Sequence, residues 1–326
     1  MSVRVSAPAR LHFGFCNLSL AHERLYGSLG VALAEPRTVV TAAPAESVVC
    51  DHPAAREHAE RATPLLDVSG AHVDVEDELP RHVGLGSGTQ LALAVLAAVA
   101  RAHDREPRVR ERAPALGRGG RSGVGVAGFE AGGFVLDAGH PTERFTAEAP
   151  DPGGWTVPAV AARHELPDDW RFVLALPDAD PGRHGDAEET SMRATVEDAD
   201  PGVADTIAGL VVRRVLPAAA EGDRGRFGRA VAELGRLNGK WYADEQGGVY
   251  RPPAGAVVDR LRGSPAVSGA GQSSWGPAVY GVTDAAHAAE ARLAARDALD
   301  DAGCDGRVRV VRPDDAGARF EPNPNS

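Results

Sequence analysis

The sequence predicts an α+β protein of two domains. Three observations carry that reading. The chain has 326 residues, 43% of them hydrophobic, enough for two ordinary domains with proper cores. Its first 45 residues read as strands, while its second half alternates strands with helices, as an α+β sandwich does. The stretch 148–168 holds four prolines and two glycines and marks the boundary, giving domains over 1–155 and 165–326.

The elements follow in order. "VRVSAP" and "RTVVTAAP" carry β-branched residues in alternation or short runs, and "GSLGVALAEP" punctuates them with glycine. "PAAREHAERATPLL" is a short amphipathic helix and "HVDVED" a strand. A glycine turn then opens a helix from about Gly88 to His103. "EPRVRERAPALG" gives a second helix, ending in the loop "GRGGRSG", and "GGFVLDAGH" a strand. Past the boundary, "RFVLALP" is a strand, and "ADTIAGLVVRRVLPAAA" and "RFGRAVAELGRLNGKWY" are helices. "PAVSGAGQSSWGPAVYGVTD" reads strand, glycine loop, strand. "AAHAAEARLAARDALDDAG" is a helix closed by glycine, and "RVRVVRP" a last strand.

Composition excludes several function classes. A formal net charge of -11 argues against a nucleic-acid or anionic-membrane partner, which would want a basic face. It leaves room for an anionic substrate at a locally positive site. Cys16, Cys50 and Cys304 form neither a disulfide framework nor a zinc motif. "MSVRVSAPARLHF" has no apolar signal core, and no apolar run approaches the ~20 residues of a membrane span. The expectation is a cytoplasmic protein.

The stretch "GLGSGTQ" (Gly84, Leu85, Gly86, Ser87, Gly88, Thr89, Gln90) suits a phosphate or pyrophosphate. Alternating glycines let the backbone turn successive N–H groups inward, and the helix that follows adds its positive N-terminus. Ser87 and Thr89 add hydroxyl donors. A Walker A loop is excluded, because it needs lysine and Lys240 is the only one. A formal G-x-G-x-x-G at Gly123, Gly125 and Gly128 follows a loop rather than a strand, which argues against a dinucleotide site.

Pro80 followed by "GLGSGTQLAL" resembles the phosphate motif P-x-x-x-G-L-[GS]-S-[SG] of the GHMP kinase superfamily. Four further stretches, "ARLHFGF", "GSLGVALAEP", "GRGGRSGVGVAGFEAGGFVLDAGH" and "GAGQSSWGPAVYGVTD", are similar to the β-ribofuranosylaminobenzene 5'-phosphate synthase family of that superfamily, across nearly the whole chain. The resemblance implies a two-domain GHMP kinase-like fold, with a ribosomal protein S5 domain 2-like N-terminal domain and a ferredoxin-like C-terminal domain. It implies condensation of phosphoribosyl pyrophosphate with 4-hydroxybenzoate or 4-aminobenzoate, release of pyrophosphate and CO2, magnesium carried on the pyrophosphate, and a homodimer. One departure from the kinases stands out. Where many of them have S-G-x-D, "RSGVG" has Gly125. Phosphoryl transfer relies on carboxylate-bound metal and cations, which a glycine does not supply. An ATP-dependent small-molecule kinase and a non-catalytic phosphometabolite-binding protein are the alternatives.

Against that background, catalytic candidates are Arg10 and His12 at the end of the first strand, Asp137 and His140 in "LDAGH", and the lone Lys240. Asp137 is also the magnesium or ribose ligand candidate. Arg121 and Ser122, preferred to Arg118, join the phosphate group. Glu35 is a candidate for the ribose hydroxyls. Gln272, Ser273, Ser274 and Trp275 in "GQSSWG" are candidates for substrate, with Trp275 stacking on an aromatic ring.

Overall fold

The computed structural model describes residues 2–145, 153–180, 182 and 185–322, so the boundary stretch lies partly outside the described residues. In chain order, the first part contains β1 (Val3–Asn17), β2 (Arg24–Pro44), α1 (Pro53–Leu66), β3 (Ala71–Asp77), α2 (Ser87–Ala102), α3 (Val109–Arg112), α4 (Val124–Ala131), β4 (Phe134–Asp137), β5 (His140–Pro141) and β6 (Val160–His164). The remainder contains β7 (Trp170–Pro177), α5 (Gly185–Asp198), α6 (Pro201–Leu210), α7 (Leu216–Glu221), α8 (Arg224–Trp241), α9 (Ala243–Gln246), α10 (Ala254–Arg262), β8 (Gly269–Gln272), β9 (Val279–Asp284), α11 (Ala288–Asp301), β10 (Gly306–Val311) and β11 (Arg319–Pro322).

The first sheet is antiparallel, in the order β11-β1-β2-β4-β6, with β3 and β5 also paired to β2. The glycine punctuation expected between two strands instead lies inside one continuous β2. Gly30 shows why glycine belongs there: a Cβ would stand 2.3 Å from the Leu11 carbonyl oxygen of β1. Register shifts between Pro8 and Ala9 and between His12 and Gly14 bend the β1–β2 pair. Behind it lies α2, buried at every position from Gln90 to Ala100, as a helix with an unbroken apolar run from Leu91 must be. The helix read from "EPRVRERAPALG" shortens to α3 and a 3₁₀ turn over Ala113–Leu116, because Pro114 cannot donate to the preceding turn.

The second sheet runs β10-β7-β9-β8, entirely antiparallel. Strand periodicity splits β7 between two cores. Val173 and Ala175 face α10 and α11. Phe172, Leu174 and Leu176 join a cluster with α6, α8 and the first sheet. Phe13 of β1 sits at the centre of that cluster, its ring 5.0 Å from Tyr280 and 5.9 Å from Phe227. Burying a side chain of that size contributes about 2–3 kcal/mol, so this shared core holds the two sheets in fixed relation. At the other end of the chain, β11 returns to the first sheet and pairs with β1. No helix among the described residues is long and apolar enough to cross a membrane.

Candidate functional site

Three segments far apart in sequence meet at the glycine turn. Gly84 and Gly86 have φ of 92° and 83°, left-handed backbone that suits glycine. A Cβ on Gly84 would stand 2.2 Å from the Ser273 carbonyl oxygen, so glycine lets the 273–277 loop dock there. The Gly84 carbonyl accepts from Arg10 Nη1 at 2.7 Å and from Ser273 Oγ at 2.6 Å. The Arg10 amide donates to the Leu85 carbonyl at 3.0 Å, and the Ala278 amide to that of Val83 at 3.0 Å. His12 N–H donates to Ser273 Oγ at 3.0 Å, and the Ser274 amide donates to the His12 carbonyl at 3.1 Å. Ser273 is fully buried, and its hydroxyl holds the loop in place.

Two guanidinium groups lie on the turn. Cβ atoms built at Gly86 and Gly88 would stand 3.1 Å from Arg10 Cγ and 3.2 Å from Arg118 Nη1. The absent side chains therefore leave room for charge at the N-terminus of α2, where orphan N–H groups and the helix dipole already favour an anion. Arg118, ranked below Arg121 on sequence, is the one that reaches the turn. Arg121 instead pairs with Glu189 of α5.

The N-terminus of α4 lies beside the first turn of α2. Gln90 Nε2 donates to the Gly125 carbonyl at 2.9 Å, while a Cβ at Gly125 would stand 3.1 Å from Thr89 Cγ2. At Gly125 the space beside Thr89 thus holds no carboxylate. The buried Gln90 Oε1 has no hydrogen-bond partner among the described residues.

Asp137 is 1% exposed, and its carboxylate is engaged. It accepts from Ser28 Oγ at 2.5 Å, from the Gly123 amide at 2.8 Å and from the Gly139 amide at 2.9 Å. Burial pushes its pKa up, and these three donors oppose that rise. The Ser122 hydroxyl is 2.6 Å from that of Ser28, extending the network. Buried His140 meets the Gly120 carbonyl through Nε2, and burial lowers its pKa. These groups fix the 120–123 loop and its entry into α4. Both Asp137 carboxylate oxygens already accept hydrogen bonds, and among the described residues no group of three or more His, Cys, Asp or Glu stands placed to hold a metal by protein ligands alone.

His12, Phe15, Asn238, Tyr242, Gln272 and Trp275 are among the residues that line a small cavity of about 40 Å³ beside the turn. Burial, and then Arg10, push the His12 pKa down to about 3, so its imidazole is neutral at physiological pH. Trp275 stacks at a tilt on Tyr242, ring centres 4.7 Å apart. Gln272 accepts from the Arg251 amide at 2.8 Å and donates to the Ser274 carbonyl at 2.9 Å, bracing the loop. Lys240 is exposed at the end of α8, and Glu35 is exposed at the bend of β2, so neither lines the cavity. Sequence reasoning passed over Asn238, Tyr242 and Tyr250. Asn238 clasps the Phe15 backbone, accepting from its amide at 2.7 Å and donating to its carbonyl at 3.0 Å. The signal for it was "LNGKWY", read there for its lysine.

Residues 48–133 match the GHMP kinases N terminal domain, and 215–301 the GHMP kinases C terminal domain. Homoserine kinase from Cytophaga hutchinsonii shares the fold with a TM-score of 0.63 at 17% identity, over 98% of this chain and 97% of that one. Lactococcus lactis galactokinase, complexed with galactose, does so with a TM-score of 0.65 at 10% identity, over 98% and 95%. Among sequence relatives, the beta-ribofuranosylphenol 5'-phosphate synthase of Archaeoglobus fulgidus is 33% identical over 98% of this chain and 99% of its own length. That of Methanothermobacter thermautotrophicus is 32% identical over 86% and 88%. The chain, with its two-domain GHMP kinase-like α+β fold, belongs to the beta-ribofuranosylphenol 5'-phosphate synthase family of enzymes.

Proposed function

We propose that this enzyme is a decarboxylating phosphoribosyltransferase that condenses phosphoribosyl pyrophosphate with 4-hydroxybenzoate. The observation that carries the reading is the anion site at α2. It has two guanidinium groups over a glycine turn, with glycine rather than a carboxylate beside Thr89. Such a site holds and neutralises a diphosphate but lacks the carboxylate that would serve transfer of a γ-phosphate. The relatives' name supports the acceptor: a ribosylated phenol retains the hydroxyl of a hydroxybenzoate and has lost its carboxylate.

In the reaction, the bond from ribose C1 to the diphosphate oxygen breaks, and the diphosphate leaves with the electron pair. Backbone N–H groups at the start of α2, with Arg10 and Arg118, stabilise that charge. Magnesium enters with the diphosphate as part of the substrate. The ring carbon bearing the carboxylate attacks ribose C1, forming a carbon–carbon bond. The bond to the carboxyl carbon then breaks, CO2 leaves, and its electron pair restores the aromatic ring. His12, neutral and buried, orients the acceptor ring rather than trading protons. A cytoplasmic homodimer belongs to the same proposal, its stoichiometry readable by light scattering.

The test incubates the purified protein with magnesium, phosphoribosyl pyrophosphate and 4-hydroxybenzoate. Pyrophosphate release that requires both organic substrates is expected. Release that proceeds equally without the benzoate, or no release at all, overturns the proposal.

A further inference from the structure

The outer face of α8 borders a hollow that shares no residue with the glycine turn or the small cavity beside it. The inner face of that helix, with Phe227, Ala230, Val231 and Leu234, packs into the shared core. Arg226 and Arg229, three residues apart and so on one side of the helix, are exposed. Across from them runs the segment between α6 and α7, where Val211–Val215 form a π turn. Pro217 accounts for the turn, because proline has no N–H to donate and its ring crowds the carbonyl four residues back. The Leu216 amide reaches five residues back instead, to the Val211 carbonyl. Arg213 and Arg214 of that turn line the hollow together with Arg226 and Arg229. Its volume is about 380 Å³, in the range of small-molecule sites.

Four guanidinium groups at one hollow run against a chain of net charge -11. Glu221 is the one carboxylate among the lining residues, so the hollow keeps a positive surplus. Arg214 pairs with Glu233 at 2.6 Å, and Arg226 with Asp223 at 3.3 Å and Glu221 at 3.8 Å. Exposed pairs of this kind are weak and yield to a stronger anion. Arg213 and Arg229 have no acidic partner among the described residues. Glycine seats both. A Cβ on Gly209 would stand 2.0 Å from Arg213 Nη2, and one on Gly225 would stand 3.5 Å from Arg229 Nη1. Each guanidinium thus lies back over a helical glycine four residues earlier. Glycine is less favourable than alanine within a helix. The three nearest atoms that a Gly209 Cβ would meet all belong to Arg213, so it is this side chain that the glycine accommodates.

We infer that this hollow is a second anion site, which binds a small phosphorylated molecule with Arg213 and Arg229 as the groups that grip its phosphate. The planar fork of arginine matches phosphate oxygens two at a time. Neither of these two groups gives up an ion pair when it binds, while Arg214 and Arg226 add to the attraction. A diphosphate and a sugar phosphate share the chemistry that the forks recognise, and the two serve as separate probes. The site does not depend on the proposed reaction.

The experiment is calorimetric titration of inorganic diphosphate and of ribose 5-phosphate into the full chain without magnesium, at low and high salt. At least one probe is expected to bind in a way that persists in Arg118→Ala and weakens with salt. Arg213→Ala combined with Arg229→Ala, melting like wild type, weakens that binding by roughly tenfold or more. Gly209→Ala keeps every charge but displaces the Arg213 guanidinium, so it weakens the same binding several-fold while melting no lower than wild type. The probe that loses more affinity in the double variant identifies the ligand as diphosphate or sugar phosphate. Binding that is unchanged in the double variant, unchanged binding to a folded Gly209→Ala, or no binding of either probe overturns the inference. Binding that survives Arg118→Ala but not the double variant, in a protein that never consumes phosphoribosyl pyrophosphate, would uphold this site and sink the proposed reaction instead.

Discussion

Replacing Gly88 with alanine separates two things that usually move together, stability and site geometry. Gly88 lies in the first turn of α2 at ordinary φ, so alanine fits the backbone and adds up to ~1 kcal/mol of helix preference. The added Cβ would stand 3.2 Å from Arg118 Nη1 and 3.4 Å from Nη2. Comfortable contact needs about 3.5–4.0 Å, so the guanidinium fork shifts by several tenths of an ångström. A charge-assisted hydrogen bond contributes about 1.5–3 kcal/mol. Losing part of one therefore raises KM for phosphoribosyl pyrophosphate by about 5- to 30-fold. Steady-state pyrophosphate release gives KM, and a thermal melt gives Tm. The expectation is a raised KM with Tm equal to or above wild type. Because both changes act through one contact, Gly88→Ala combined with Arg118→Ala is no worse than Arg118→Ala alone. An unchanged KM, or full additivity in the double variant, would refute the placement of Arg118 on the diphosphate.

Three other perturbations test separate parts of the site. Arg10→Ala removes the 2.7 Å bond to the Gly84 carbonyl and a charge from the turn, so kcat/KM for the phosphoribosyl donor falls about 10- to 100-fold; wild-type kinetics would contradict this. Asp137→Asn puts an amide where three donors converge, lowering stability by about 1–3 kcal/mol in urea denaturation, and an unchanged midpoint would argue against the buried network. His12 has a folded pKa of about 3, below the ordinary 6.5, so the unfolded chain takes up its proton first. Its contribution to stability is complete above pH 6.5 and is lost as pH falls toward 3, at most roughly 4–5 kcal/mol; His12→Asn flattens that slope in acid melts, and a slope identical to wild type would sink the assignment.

Much of the architecture was legible because its signals are local. The run from Leu91 to Ala100 is apolar on every face, which forces a buried helix, and α2 follows. The unbroken apolar run of "RFVLALP" marks a strand, and β7 indeed lies buried between two cores. What escaped depends on distant partners. The bend in β2 follows from its register with β1, and β11 gains its place only by reaching β1 from the far end of the chain. At the site, "GLGSGTQ" announces an anion turn because glycine spacing and a helix start are enough. The surroundings of Asp137 and His140 were not legible, since "LDAGH" does not reveal that Ser28, Gly123 and Gly120 engage their polar atoms. Lys240 drew notice through rarity in the chain, a compositional fact that says nothing of where a side chain ends.

The central claim is that the glycine turn holds a diphosphate that leaves, and its most direct test counts both leaving groups at once. Carboxyl-labelled 4-hydroxybenzoate, magnesium and phosphoribosyl pyrophosphate are incubated with the protein, and labelled CO2 and pyrophosphate are measured in the same samples. The account predicts equal amounts of the two at every time point. Pyrophosphate without labelled CO2, or consumption of ATP with a small alcohol in place of either product, would contradict it.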